Sequence, residues 1–217
     1  VGVGLRAAAE PEAGALDHAA REHLAAEDQA AFAAHGGSPA MAEFFGAAGT
    51  LLAGHEVKTP MTSFFEHNER YKGEKILAAL LDGRDVALVS DAGTPGISDP
   101  GEILVAEVRA AGFLVVPIPG PSAVTTALSA SGMPADRYTF LGFLPRKGKE
   151  RERMLTSVAQ SPWTVVLYEA PPRLADLLQD IVRVAGAERQ VVVARELTKL
   201  FEEFRAGTAA ELAAYYE

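Results

Sequence analysis

Val89-Ser90-Asp91-Ala92-Gly93-Thr94-Pro95-Gly96-Ile97-Ser98-Asp99-Pro100-Gly101 joins an apolar run, Val86–Val89, to Glu102–Ala111, whose pattern predicts a helix. Open α/β sheets are built from strand, loop and helix in that order, and they place ligands outside the carboxyl ends of their strands. The loop holds three glycines, two prolines, two aspartates, two serines and a threonine. Glycine lets backbone N–H groups come close to a ligand, and proline stiffens the loop that presents them. A plain connection needs only about 2–6 residues. This one is longer and dense in side-chain donors and acceptors, so it reads as a binding site.

The alternation continues on both sides of it. Asp85–Ser90 is a short β-branched run, as expected of a strand covered on both faces. Asp99 can cap the helix that follows, with Pro100 in the first turn and Glu102 three residues after the cap. Gly112 ends that helix, and Phe113–Ile118 reads as the next strand. Pro119-Gly120-Pro121-Ser122 then leads into a helix, Ala123–Ser131, that stops before Gly132. Tyr138–Leu144, Trp163–Tyr168 and Gln190–Ala194 are further strands. Arg173–Ala185 carries Leu174, Leu177, Leu178, Ile181 and Val182 at helical spacing, a stripe that belongs to a core. Upstream, Met61–Phe65 reads as a strand, and Asn68 as the cap of a helix turning Ile76, Leu77, Leu80 and Leu81 inward.

A chain of 217 residues can bury a real core as one domain or two small lobes. No run reaches the roughly 18 apolar residues of a membrane span. The N-terminus has neither the basic nor the apolar region of a secretory signal. Cysteine is absent, which excludes disulfides, thiolate metal sites and a cysteine nucleophile. The five histidines are scattered, so no metal centre is expected. These features together suit a cytoplasmic protein that does not engage membranes.

The net charge of −9 argues against broad electrostatic binding of nucleic acid. Yet Arg146, Lys147, Lys149, Arg151 and Arg153 crowd one short stretch, offset only by Glu150 and Glu152. Such a run reads either as a solvated helix face or as a local phosphate contact. Residues 1–48 are different in kind. About a third of the first fifty residues are alanine, isoleucine is absent, and no buried parallel strand can be picked out. Ala15–Ala34 fits an alanine-rich amphipathic helix with Leu16, Ala20, Leu24 and Phe32 inward; Glu27, Asp28 and His35 in this segment read as a solvated face in preference to ligands.

Six segments in order carry a resemblance. They are KTPMTSFFEHNE (Lys58–Glu69), LVSDAGTPGISDPG (Leu88–Gly101), IPGPSAVTTALSASGMP (Ile118–Pro134), FLGFLPRK (Phe140–Lys147), LYEAPPR (Leu167–Arg173) and ARELTKLFEEF (Ala194–Phe204). Together they resemble the bacterial 16S ribosomal RNA cytidine 2′-O-methyltransferases of the tetrapyrrole-methylase superfamily, over about three quarters of the chain. The resemblance implies an α/β fold of two lobes with S-adenosylmethionine in a cleft between them. Residues 49–118 then form a partial N-terminal lobe and residues 119–217 a truncated C-terminal lobe.

On that resemblance Ser90, Asp91, Ala92, Gly93, Thr94, Pro95 and Ser98 form one wall of the donor site. Pro119, Gly120, Ser122 and Thr125, with Thr126, face the donor from the second lobe, and Leu141 and Gly142 complete the pocket. Asp91 ranks above Asp99 as a partner for the ribose or ammonium of the donor, because Asp99 also serves as a helix cap; Ser122 carries the same ambiguity. Arg146, Lys147 and Lys149 lie where RNA approaches, and Arg195 either holds phosphate or pairs with Glu196. The implied partner is 16S ribosomal RNA or the small ribosomal subunit, and homodimers are common in the superfamily.

Methyl transfer is an in-line displacement, so alignment of the ribose 2′-oxygen with the methyl carbon and exclusion of water can supply most of the catalysis. The hydroxyl loses its proton during attack, and a nearby base assists. Glu169, Glu196 and Lys199 are the bases within the matching segments; a lysine serves only where burial or a cationic neighbour lowers its pKa. Each of the three can equally form a structural ion pair.

The family also opens with a β-strand and a Thr-Pro-x-Gly-Asn loop, and carries Glu-Asp-Thr-Arg just upstream of the position of Thr50-Leu51-Leu52. Neither is found here, so residues before about Gly49 are expected to derive from a shifted reading frame or an unrelated start. The sequence stops at Tyr215-Tyr216-Glu217, before the strands that usually close the second lobe. Two other activities compete: a non-catalytic RNA- or nucleotide-binding remnant, and methylation of a small tetrapyrrole. A phosphate-handling enzyme ranks last, for want of a Walker-type Gly-Lys-Ser/Thr.

Overall fold

A computed structural model describes residues 62–65, 67–90 and 93–217, together with the backbone of strands β1 (Gly2–Arg6) and β2 (Ala40–Ala42). The proposed helix Ala15–Ala34 lies outside the described residues, as do Met61, Asp91 and Ala92. The chain divides into two compact units, Val1–Ser122 and Ala123–Glu217.

The first unit contains helix α1 (Glu69–Leu81), strand β3 (Val86–Val89), helix α2 (Glu102–Ala110) and strand β4 (Leu114–Pro117). Its sheet runs in the order β2-β3-β1-β4. β1 pairs antiparallel with both β3 and β4, whereas β2 is parallel to β3. Both early strands escape a reading by pattern. β1 sets only Val3 and Leu5 between glycines and an arginine, and β2 is three residues long, too short to show a period. Every residue of β3 is buried, as its unbroken β-branched and aliphatic run demands. Phe64, Ile76, Ala79, Leu80, Val86, Leu88, Leu104 and Val108 form the core between helices and sheet.

Four local expectations change. Residues 62–65 contain no strand beyond a single bridge at Ser63. Asn68 precedes α1 but turns its side chain away from the helix: Oδ1 accepts from Phe65 N–H at 2.9 Å and Nδ2 donates to the Ser63 carbonyl at 3.3 Å. Leu81, expected inside, is 71% exposed in the last turn. α2 is capped by the backbone of Gly101 and not by Asp99, which lies two residues too early and is exposed. The left-handed turns of the loop use up the residues between Asp99 and the helix.

The second unit contains α3 (Ala123–Ser131), β5 (Tyr138–Phe143), α4 (Lys149–Gln160), β6 (Thr164–Tyr168), a short helical turn Pro171–Arg173, α5 (Leu174–Ala185), β7 (Gln190–Arg195), β8 (Glu203–Thr208) and α6 (Ala209–Tyr216). β5 and β6 are parallel, β7 and β8 antiparallel. The apolar stripe of α5 serves two cores. Leu177 and Ile181 join Leu144, Leu155 and Ala209, while Leu178 joins Val193, Leu212 and Ala213. α4 is fastened to α5 by charge: the Arg151 guanidinium donates to Asp180 Oδ2 at 2.7 and 3.0 Å, and to the Pro145 carbonyl at 2.9 Å. Burial raises the Asp180 pKa, but the hydrogen bonds from Arg183 and then Arg151 outweigh it and hold the carboxyl below its ordinary range.

Candidate functional site

β3 delivers the chain into the loop at Ser90, and α2 takes it away at Glu102. Between them the backbone turns left-handed at Gly93 (φ 73°), Gly96 (φ 80°), Ser98 (φ 57°) and Gly101 (φ 138°). Ser90 Oγ donates to the Gly93 carbonyl at 3.5 Å, and Ile97 N–H donates to the Thr94 carbonyl at 3.2 Å. Pro95 is buried and anchors the middle of the loop. The two ends differ. A Cβ added at Gly101 would lie 2.9 Å from Leu88 Cδ2, so only glycine fits there. At Gly93 nothing among the described residues stands within 4 Å of the same position, so the backbone there is open to them. Thr94 is half-buried beside it, and Ser98 is exposed. The loop is thus rigid at its helix end and open at its strand end.

The turn before α3 exposes Pro119 and Gly120, with Ser122 half-buried and Thr125 exposed on the first turn of the helix. Val124 and Leu128 carry the packing of α3, which leaves Thr125 on its outer face.

A second cluster forms where the parallel pair β5–β6 ends. Pairing runs in step from Tyr138 opposite Thr164 to Phe140 opposite Val166, then resumes with Phe143 opposite Tyr168. The extra residue makes a bulge over Leu141 and Gly142, and Gly142 is buried at φ 60°. Phe143 tilts onto Tyr168 with ring centroids 5.4 Å apart. Glu169 follows at once and is nearly enclosed, its side chain 4% exposed. Oε1 accepts from Ala170 N–H at 2.8 Å and pairs with Arg173, so the carboxylate staples the turn that opens α5. Oε2 is buried without a hydrogen-bond partner among the described residues. Buried acceptors are rarely left so, and those that are often belong to functional sites.

Arg146, Lys147 and Lys149 are exposed ahead of and at the start of α4, and none makes an ion pair among the described residues. Arg151, from the same basic run, is instead spent on Asp180. Arg195 pairs with Glu203 across the β7–β8 ladder, not with Glu196. Hydrogen bonds from Arg195 and then Arg205 hold the Glu203 carboxyl below its ordinary range. Glu196 and Lys199 pair with each other at 3.3 Å in the exposed loop between these strands. Glu169 is therefore the one among the three sequence-nominated bases that the fold shelters from water.

A family model described as Tetrapyrrole (Corrin/Porphyrin) Methylases matches residues 20–213. The chain belongs to this family. The match takes in every loop and cluster described above, and it begins inside the alanine-rich segment, ahead of the point near Gly49 from which the motifs run. Ribosomal RNA small subunit methyltransferase I of Vibrio cholerae is 51% identical over 164 residues, 76% of this chain and 57% of that protein. The protein of the same name from Xylella fastidiosa is 50% identical over 162 residues, 75% of this chain and 59% of its own length. That from Synechocystis is 47% identical over 168 residues, 77% and 60% respectively. The chain thus spans less than two thirds of the length of these relatives. The crystal structure of the methyltransferase CobJ superposes with a TM-score of 0.55 at 20% identity, over 70% of this chain and 68% of that one, a likeness of fold.

For a tetrapyrrole methylase, the site residues named from sequence fall into separate places. Ser90, Gly93, Thr94, Pro95 and Ser98 share the loop after β3; Leu141, Gly142 and Glu169 share the end of β5–β6; Glu196 and Lys199 stand apart on the β7–β8 loop. Asp91 and Ala92 lie outside the described residues. Glu69, Glu203 and Arg205 were not singled out by sequence, nor were β8 and α6. One signal for α6 was present: Thr208 and Glu211 have the spacing of a capping box, and the structure forms both of its bonds. Among the described residues no group of three or more His, Asp or Glu side chains is placed to hold a metal, and no helix is long and apolar enough to cross a membrane.

Proposed function

We propose that this chain is part of an S-adenosylmethionine-dependent enzyme that methylates the ribose 2′-oxygen of a cytidine in small-subunit ribosomal RNA. The observation that carries the reading is the 51% identity to a ribosomal RNA small subunit methyltransferase I, in a chain that belongs to the methylase family. The reading implies a cytoplasmic protein whose partner is 16S ribosomal RNA or the small ribosomal subunit, working alone or as a homodimer.

The residues present suit the donor. Open backbone at Gly93, flanked by the hydroxyls of Ser90 and Thr94, gives a surface that a polar ligand can approach closely. On the resemblance, donor contacts are assigned to Ser90, Asp91, Ala92, Gly93, Thr94, Pro95 and Ser98, and to Pro119, Gly120, Ser122, Thr125, Leu141 and Gly142. When bound, S-adenosylmethionine supplies an electrophilic methyl group. Holding donor and hydroxyl in line and dry is the main contribution of the chain. Glu169, its Oε1 held by Arg173 and Ala170 N–H, is the residue we assign to take the departing proton. Arg146, Lys147 and Lys149 meet RNA phosphates.

Calorimetric titration with S-adenosylmethionine, beside Asp91→Ala, tests the donor site, and methyl transfer to small ribosomal subunits tests the reaction. Saturable binding that Asp91→Ala abolishes, with methyl transfer that Glu169→Gln lowers by roughly a hundredfold or more, is the expected result. A folded chain that binds no donor overturns the reading and leaves an RNA-binding remnant.

A further inference from the structure

The loop between β7 and β8 holds two large apolar side chains out in water: Leu200 is 90% exposed and Phe201 74%. Its shape is built. Glu196 (φ 53°) and Thr198 (φ 66°) both sit in the left-handed region, where a side chain crowds its own backbone. Hydrogen bonds hold them there. Lys199 N–H donates to the Glu196 carbonyl at 2.9 Å, Thr198 N–H to Glu202 Oε2 at 2.6 Å, and Glu202 N–H to the Lys199 carbonyl at 3.2 Å. Among the described residues, neither burial nor local comfort accounts for a strained loop that presents Leu-Phe to solvent.

Two cations stand at the loop, Arg195 at its base, 56% exposed and paired with Glu203, and Lys199 near its tip, 66% exposed and paired with Glu196. Two apolar side chains cover far less than the roughly 800 Å² per partner that a stable protein interface buries. One aromatic face with an aliphatic neighbour is, however, the size of a nucleobase. Unpaired bases stack on such faces while nearby cations take the phosphates.

We propose that Leu200 and Phe201 form a stacking platform for an unpaired base of single-stranded RNA, with Arg195 and Lys199 beside its backbone. The inference rests on the ribosomal RNA reading above and adds a contact to it. Fluorescence anisotropy with a labelled, unstructured RNA oligonucleotide tests it on the whole chain and on Phe201→Ala, Phe201→Trp and Leu200→Ala. Phe201→Ala should weaken binding about tenfold, within the range of one lost base stack. Phe201→Trp should restore it, and thermal melting should stay unchanged because both residues are exposed. Equal loss in Phe201→Ala and Phe201→Trp overturns the proposal, as does unchanged RNA affinity in Phe201→Ala. Sedimentation that shifts to a smaller species in Phe201→Ala overturns it in favour of contact with a second copy. A parent chain that binds no RNA overturns both this proposal and the reading beneath it; RNA binding indifferent to Phe201 overturns this one alone.

Discussion

Gly101 donates its backbone N–H to Oε1 of Glu69 across 3.1 Å, tying the first residue of α1 to the residue that delivers α2. Glu69 is buried, an unusual place for a carboxylate, and the bond is its reason for being there. The open strand end of the loop at Gly93 is positioned by this locked helix end.

Glu69→Ala should therefore cost about 1–3 kcal/mol, because it strands a buried N–H without an acceptor. Glu69→Gln keeps an acceptor oxygen and should cost less. Urea unfolding of the three chains decides it, and equal stability of all three would deny the bond any structural role.

Gly101→Ala should destabilise by about 2 kcal/mol or more, through a Cβ 2.9 Å from Leu88 and a left-handed backbone. Adding Leu88→Ala relieves the contact but not the backbone strain. Recovery of stability in the double variant, measured against Leu88→Ala alone, should thus be partial.

Asp180 ties stability to pH. Its carboxyl is held below the ordinary range in the folded chain, so its contribution is fully present above the unfolded value near 3.9 and fades as pH falls through the lower folded value. Asp180→Asn should cost about 1.5–3 kcal/mol at neutral pH. It should also flatten the loss of stability on the acid side of pH 4, which acid titration followed by circular dichroism will record.

Arg146→Glu with Lys147→Glu should weaken RNA binding while leaving donor binding and the melting temperature unchanged, since both side chains are exposed. Arg151→Glu, four residues on in the same basic run, should instead unfold the second unit by placing two carboxylates together at Asp180. Joint loss of RNA and donor binding in the first variant would make Arg146 and Lys147 structural as well.

Thr208→Ala removes one arm of the capping box of α6 and should cost about 1 kcal/mol. Thr208→Ser should keep most of it. Melting temperatures of the pair are sufficient to tell.

Helices with clear boundary residues or a clear apolar stripe were legible in advance. Ala123–Ser131 begins and ends where its Pro-Gly-Pro-Ser entry and Gly132 exit place it, and α5 buries Leu177, Leu178 and Ile181 as their spacing requires. Legibility failed where a residue had two local uses. Asp99 has the chemistry of a cap, but Gly101 is the residue whose backbone geometry the turn allows at the cap position. Arg195 has two acidic neighbours in reach; strand pairing, invisible in one dimension, put Glu203 opposite it.

Sequence alone determined the α/β class and the six ordered segments that mark the methylase family. Periodicity suffices for the class and the resemblance of the ordered segments for the family, because both are read from neighbours along the chain. Tertiary structure decided which members of each charged group are free to act. Arg151 is consumed by Asp180 while Arg146 and Lys147 stay in solvent, and Glu169 is enclosed with one oxygen unpartnered while Glu196 and Lys199 satisfy each other in water. Burial and pairing depend on contacts between residues distant in sequence, and a charge's neighbours in space, not along the chain, set what it can do.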